Sequence, residues 1–152
     1  MIDIIGHRGA SEDAPENTLA AIEEAWKQQA DGVEIDVRMS SDSRLVCVHD
    51  NNLFRTTGKN CLIENTSLEE IKKLDAGSWR GKEWTNSMIP SLEEVLEKIP
   101  AGKKIFIEVK LEGEELDGRG WPASSGWPVV GGAVGIGSFP TRPNSFENNF
   151  KV

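Results

Sequence analysis

Hydrophobic and polar positions alternate in two different periods along residues 2–111, and they predict strands and helices in turn. The apolar run from Ile2 to Ile5 stops at Gly-His-Arg-Gly, which indicates a buried strand ending in a loop. From Thr18 to Gln29 apolar residues recur at helical spacing, so we predict an amphipathic helix capped by Asn17 or Thr18. Gly32 then suits a left-handed position after this helix.

The next stretch has the period of a strand. Val33 to Val37 alternates strictly, so Glu34 and Asp36 share the face opposite the valines. Leu45 to Val48 predicts another strand, but the turn before it is too short for a crossover helix. The two strands therefore either pair as a hairpin or are separated by a wider bend.

The remaining pattern continues the alternation of helix and strand. Ser67 and Ser91 each precede a glutamate three residues later, which is the capping box of a helix start. Lys103 to Leu111 predicts a strand with Ile105, Ile107 and Val109 on one face. The order favours an α/β fold with a largely parallel sheet.

Chemically active side chains fall at the predicted strand ends. Parallel strands bring such ends to one rim, which is where α/β folds bind ligands. Carboxylates there suit Mg²⁺ or Ca²⁺, arginine and lysine suit a phosphate, and two histidines suit proton transfer. The pattern therefore favours metal-assisted phosphoryl chemistry by the following residues: His7, Arg8, Glu34, Asp36, His49, Glu108 and Lys110.

Each of these residues alone has an ordinary structural explanation. A single histidine at a strand end is more often structural, and Glu34 with Asp36 could form the polar face of an edge strand. The co-occurrence of suitable groups at several strand ends is what favours a catalytic site.

Composition narrows the classes of partner. The net charge of −8 argues against binding to nucleic acid or anionic membranes over the whole surface, so an anionic substrate needs local cations. The sequence shows no secretion signal and no run long enough to span a membrane, so we expect a cytoplasmic protein. Cys47 lies in an apolar run and is expected to pack as a small hydrophobe, a disulfide with Cys61 being the lesser alternative.

In order and spacing, several short motifs together resemble the glycerophosphodiester phosphodiesterases. The resemblance covers about Ile2 to Leu111, and the motifs that carry it are His7-Arg8-Gly9, Pro15-Glu16-Asn17-Thr18, Glu34-Ile35-Asp36-Val37, His49-Asp50, Pro90 to Leu96, and Glu108-Val109-Lys110.

The resemblance implies a (β/α)8 barrel of the TIM type with an inserted segment, here residues 51–89. It implies hydrolysis of glycerophosphodiesters, in lipid and glycerol metabolism, to glycerol 3-phosphate and an alcohol, with attack of the glycerol hydroxyl through a cyclic phosphate. By motif, His7 and His49 resemble the general acid/base pair. The carboxylates of Glu34, Asp36 and Glu108 resemble ligands of Mg²⁺ or Ca²⁺. The side chains that resemble contacts to the phosphate or to the surroundings of the metal are Arg8, Glu16 and Lys110.

The chain is short for this fold, since a closed barrel usually needs about 250 residues and this chain has 152. We therefore expect an incomplete barrel over residues 1–112. Residues 113–152 form a Gly/Pro-rich tail that we expect to be irregular, apart from a weak strand at Val129 to Ile136. The break in composition near Glu112 suggests a frameshift or alternative splice, which comparison of the coding DNA with a full-length relative tests.

An incomplete barrel leaves an open sheet edge and uncovered apolar surface, so we expect the chain alone to be weakly active or inactive, and to have low stability unless two copies associate through that edge. Two alternatives remain at this point. The chain is a truncated, non-catalytic fragment of the family, or it belongs to a related phospholipase-type phosphodiesterase.

Overall fold

Three parallel strands lie side by side at the centre of the computed structural model, which describes residues 2–110, 135–138 and 150–151. They are β1 (Ile5–His7), β2 (Gly32–Met39) and β4 (Lys104–Val109), in the order β1-β2-β4. Parallel neighbours need a crossover connection, and helix α1 (Leu19–Lys27) lies in the one between β1 and β2. This arrangement agrees with the predicted α/β fold.

Strand β3 (Leu45–Cys47) settles the alternative that the sequence left open. It pairs antiparallel with the end of β2, with Val37 opposite Cys47 and Met39 opposite Leu45, so the two strands form a hairpin. The hairpin turns the chain back across the carboxyl end of β2, where the predicted site lies.

Two short antiparallel strands extend the sheet beyond β4. Strand β5 (Gly135–Ser138) pairs antiparallel with β4, and β6 (Phe150–Lys151) pairs antiparallel with β5. A closed barrel consists of parallel strands, so β5 is not a barrel strand. The weak strand expected at Val129 to Ile136 overlaps β5 at two residues. Apart from β5 and β6, the expected tail lies outside the described residues, as does Leu111.

Side-chain caps fix where the helices begin. The hydroxyl of Thr18 accepts a hydrogen bond from the backbone N–H of Ala21 at 3.3 Å, so Thr18 caps α1. The capping boxes at Ser67 and Ser91 are confirmed and begin two helices. The short helices are α2 (Phe54–Thr57), α3 (Leu68–Ile71) and α4 (Leu92–Leu96), with 3₁₀ turns at Ile63–Asn65 and Lys82–Trp84.

Strand β2 separates the core from the site. Val33, Ile35 and Val37 are fully buried and pack with residues of α1, α4 and β4, while Glu34 and Asp36 occupy the other face, as their alternation predicted. A second apolar cluster joins residues 51–89, the expected inserted segment, to β3 and the residues just after it. Its buried members are Val46, Val48, Leu53, Ile63, Ile71, Ala76 and Ile89.

Two expectations about the first elements are wrong. The first strand begins only at Ile5, and Ile2 and Ile4 are 91% and 64% exposed, because they precede the pairing with β2. The left-handed residue after α1 is Gln29, with φ 63°, not Gly32. Gly32 begins β2, where a Cβ would lie 2.9 Å from the Ile5 side chain, so the glycine permits close strand packing.

The cysteines are not bridged, and the described helices are short. Cys47 and Cys61 are free thiols, and burial raises the pKa of Cys47 above its ordinary value, in agreement with a packing role. Within the part of the chain that is described, each helix falls short of the length and apolar character that crossing a bilayer requires.

Candidate active site

The registers of the parallel strands place the predicted residues at one edge of the sheet. His7 at the end of β1 lies opposite Glu34, and Asp36 lies opposite Glu108 on β4. After β3, the backbone N–H of Val48 donates to the carbonyl of Asp36, which holds the segment leading to His49 against β2. The geometry therefore brings together groups that are up to 101 positions apart in the sequence.

Three carboxylates form a cluster at this edge. One oxygen from each of Glu34, Asp36 and Glu108 lies within 4.8 Å of the others. Glu34 Oε1 is buried and has no hydrogen-bond partner among the described residues, whereas the buried Asp36 Oδ1 lies 3.4 Å from the ammonium of Lys110. Buried carboxylate oxygens on β2 beside the carboxylate of Glu108 on β4 suit a hard divalent cation, so the residues present fit the predicted metal.

The charges around the cluster are unequal. Burial, together with the nearby charges of Asp36 and Glu108, raises the pKa of Glu34 above its ordinary value, against the opposing hydrogen bond from the backbone of Arg8. Lys110 Nζ lies 3.4 Å from Asp36 Oδ1 and pairs with Glu108. The hydrogen bond to Glu108 raises the pKa of Lys110, which keeps this amine positively charged. The cluster thus has one lysine beside it and one carboxylate whose charge is poorly compensated.

Asp36 is the most buried member, with 1% of its surface exposed. Arg8 Nε and Asn17 Nδ2 each lie 3.0 Å from Asp36 Oδ2, and the backbone N–H of Asp36 donates to Asn17 Oδ1 at 3.1 Å. Asn17 was predicted only as a possible helix cap, and its pairing with Asp36 was missed. The Pro-Glu-Asn-Thr motif marked Asn17 in the sequence, but its contact with Asp36 becomes visible only in the folded structure.

The loop after β1 is shaped to present Arg8. Arg8 and Gly9 both have left-handed backbones, with φ 55° and 79°. A Cβ at Gly9 would lie 2.6 Å from the carbonyl carbon of Ala21, so only glycine fits there. The turn aims the backbone N–H of Arg8 at Glu34 Oε2, at 3.0 Å, while its guanidinium reaches Asp36.

The two histidines have different surroundings. The side chain of His7 is 68% exposed, and its Nε2 lies 3.9 Å from Glu34 Oε2. His49 is one-third exposed, and its Nδ1 lies 2.7 Å from Asp50 Oδ1. Arg38 Nε donates to the backbone carbonyl of His49 at 2.7 Å and ties this residue to β2. His7 is therefore open to solvent, whereas His49 is held on two sides.

Glu16 is positioned by two arginines. Its Oε1 accepts from Arg8 at 3.0 Å, and both of its oxygens accept from Arg55 at 2.7 and 2.8 Å. Arg55 also donates to Asp50 at 2.5 Å. Sequence reasoning missed Arg55, because it lies in the inserted segment 39 positions from Glu16 and no local pattern links the two.

This network predicts an acid-sensitive fold. Burial opposes ionisation of Glu16 and Asp50, but the hydrogen bonds from Arg55 outweigh it and hold the pKa of each below its ordinary value of 4.5 and 3.8. Such carboxylates stabilise the folded chain fully above these values and lose that contribution as the pH falls through the lowered pKa. In urea unfolding, we expect acidification from pH 6 to about pH 3.5 to remove about 1–2 kcal/mol through this network.

The Arg55→Met variant checks this assignment. It has already lost the network, so its unfolding free energy should fall less on acidification than that of the wild type. An equal fall in both proteins would show that other groups cause the acid sensitivity.

The arrangement has the parts that phosphodiester cleavage uses. Oxygen ligands can hold a divalent cation, Arg8 and Lys110 can attract a phosphate, and two imidazoles can exchange protons. Residues from β1, β2, β4 and the segment after β3 supply these groups. This is the constellation that the sequence predicted at the strand ends.

Comparisons with known proteins agree with this geometry. The model of the glycerophosphoryl diester phosphodiesterase family matches residues 7–121. A glycerophosphodiester phosphodiesterase of Caldanaerobacter subterraneus is 46% identical over 110 residues, which are 70% of this chain and 44% of that protein.

Solved structures give the same result for the fold. A glycerophosphodiester phosphodiesterase from Agrobacterium tumefaciens superposes with a TM-score of 0.70 at 40% identity, covering 73% of this chain and 48% of that one. An Oleispira antarctica phosphodiesterase in complex with the product sn-glycerol-3-phosphate gives 0.69 at 45% identity, covering 72% and 45%. The predicted incomplete barrel is thereby confirmed, and the chain spans less than half the length of these relatives.

Proposed function

Since the chain belongs to the glycerophosphoryl diester phosphodiesterase family, we propose that it carries the metal-binding and acid/base part of a glycerophosphodiester hydrolase. The reaction is hydrolysis of a glycerophosphodiester to glycerol 3-phosphate and an alcohol. The observation that carries the proposal is the cluster of Glu34, Asp36 and Glu108, with the buried and unpartnered Oε1 of Glu34, beside cations and two histidines. The product bound to the Oleispira antarctica relative supports the substrate class.

The chain's own residues divide the work. Glu34, Asp36 and Glu108 hold the cation, for which Mg²⁺ and Ca²⁺ are the candidates because all three ligands are carboxylates. A bound divalent cation supplies charge that stabilises the phosphoryl oxygens. Arg8 and Lys110 attract the phosphate, and Glu16 holds the Arg8 guanidinium in its orientation. His7 and His49 exchange the protons of the attacking and leaving oxygens.

Release of glycerol 3-phosphate from glycerophosphocholine and glycerophosphoethanolamine tests the proposal. We expect the purified chain to release it slowly with Mg²⁺ or Ca²⁺, because the cluster is present but the chain spans less than half the length of its relatives. A chelator should reduce release to the level of a buffer blank. Release of a phosphorylated alcohol instead would favour the phospholipase-type alternative.

The second candidate is a non-catalytic fragment of the family, which the coverage of less than half of each relative favours. A folded chain that releases no glycerol 3-phosphate under any of these conditions would support this candidate and overturn the catalytic one. Circular dichroism on the same sample shows whether the chain is folded.

Two further proposals concern the environment of the chain. Among the described residues β1 pairs only with β2, so its other edge is open and can accept a second copy, which sedimentation would detect. The free thiols of Cys47 and Cys61 support a reducing, cytoplasmic location, which cell fractionation would check.

A further inference from the structure

Arg55 joins two carboxylates that belong to different parts of the site. Its Nε donates to Asp50 Oδ2 at 2.5 Å, and its two terminal nitrogens donate to Glu16 at 2.8 and 2.7 Å. It lies on α2 within the inserted segment, and its guanidinium is 6.0 Å from the centre of the Trp79 ring. A planar guanidinium can hold two carboxylates at fixed angles, which the single ammonium of a lysine cannot do.

Asp50 links Arg55 to the imidazole of His49. Its Oδ2 takes the hydrogen bond from Arg55, and its Oδ1 lies 2.7 Å from His49 Nδ1. Burial opposes its ionisation, but the hydrogen bonds from Arg55 and His49 prevail and lower the pKa of Asp50. An ionised carboxylate only accepts hydrogen bonds, so the imidazole must carry its proton on Nδ1 and leave Nε2 as the free acceptor.

We infer that Arg55 is a positioning residue for His49, acting through Asp50. It holds Asp50 in the orientation that keeps the His49 proton on Nδ1, so that Nε2 is available for proton exchange. Through Glu16 the same guanidinium also braces Arg8, which joins the acid/base side of the site to the phosphate side. The role of His49 in this inference rests on the proposed function, but the tautomer of its ring does not.

The other charged groups near His49 do not explain its ring orientation. Arg38 donates to the backbone carbonyl of His49, which fixes the main chain and not the imidazole. The contribution of these ion pairs to stability does not set the orientation of the ring, because each ion pair of the 43% exposed Arg55 side chain usually contributes less than about 1 kcal/mol whichever tautomer His49 adopts. Orientation of the ring is the effect that this geometry produces.

Nitrogen-15 NMR of the histidine side chains tests the inference directly. The chain has two histidines, so His7→Gln leaves only the signals of His49. In this background we expect His49 to be the Nδ1-protonated tautomer when neutral. Arg55→Met should shift the population towards Nε2 protonation, and Asp50→Asn should shift it further, because an amide can donate to Nδ1. Arg55→Lys should restore part of the wild-type signal.

Arg44→Met is the matched control. Arg44 is half-exposed and pairs with Glu93 at 3.4 Å, so this substitution removes a similar surface ion pair away from His49. It should leave the tautomer unchanged. A wild-type tautomer in both Arg55→Met and Asp50→Asn would overturn the inference, and thermal unfolding shows that each variant is folded. If Arg55→Met does not fold, Arg55→Lys and Asp50→Asn decide the question.

Kinetics then separate this inference from the proposed function. If the wild type turns over, Arg55→Met should lower kcat about 10- to 100-fold with little change in KM, a part of what a positioned acid/base contributes. An inactive wild type with the expected tautomers would contradict the proposed function alone. If the wild type is active but the His49 tautomer is unchanged in both Arg55→Met and Asp50→Asn, the result would contradict this inference alone.

Discussion

Glu34→Gln is expected to stabilise the ion-free chain while removing its response to divalent cations. Glu34 is buried beside two other carboxylates, and burial and their charges already raise its pKa. A neutral glutamine removes this repulsion and still accepts the hydrogen bond from the backbone N–H of Arg8. We expect a gain of about 1 kcal/mol in the unfolding free energy without cations, as for other uncompensated buried charges.

With cations the order of stability should reverse. A bound ion stabilises the wild type by about 2.7 kcal/mol when its concentration is 100 times the dissociation constant. Glutamine offers a weaker, neutral ligand, so the variant should gain little from the same addition. Thermal unfolding with a chelator, with Mg²⁺ and with Ca²⁺ measures both effects, and calorimetric titration gives the affinity.

Glu64→Gln is the control for this experiment. Glu64 is exposed and lies in the inserted segment outside the cluster, so its substitution should change neither the ion-free stability nor the response to ions. A wild type whose unfolding is unchanged by both ions would show that the three carboxylates do not form a metal site. A response retained in Glu34→Gln would exclude Glu34 as a ligand.

Local patterns predicted where several residues of the site lie, because these residues belong to regular strands or follow directly after them. The alternation in Val33 to Val37 placed Glu34 and Asp36 on one face, and parallel pairing made their approach to Glu108 a consequence of the fold. The capping boxes at Ser67 and Ser91 likewise depend only on residues three apart. These features were predictable because their physical causes act within a single element or a regular sheet.

Contacts between distant loops could not be predicted in the same way. Arg55 reaches Glu16 and Asp50 only because the inserted segment packs its own apolar cluster against β3. Gln29, and not Gly32 as expected, adopts the left-handed backbone after α1. Gly32 instead lies in β2, where a larger residue would collide with Ile5. Such positions are decided by tertiary packing, which has no short-range signature in the sequence.

His7→Ala and His49→Ala are expected to lower metal-dependent release of glycerol 3-phosphate by about 10²–10⁴-fold each, the usual contribution of a general acid or base. The two variants should differ with the leaving group. Asp50 holds the His49 ring through Nδ1, whereas His7 is exposed beside Glu34, so we expect His49 to exchange its proton with the departing oxygen and His7 to accept the proton of the attacking one.

A substrate with a nitrophenol leaving group separates these roles. Nitrophenolate departs without a proton, so His49→Ala should recover most of its lost rate on glycerophospho-nitrophenol, whereas His7→Ala should not. Equal recovery in both variants, or in neither, would contradict the division of roles. Arg44→Met again serves as the control, because its ion pair with Glu93 lies outside the site and its rate should match the wild type on both substrates. The difference between the two histidine variants thus follows from one structural contrast, since His49 is held by Asp50 and His7 is exposed beside Glu34.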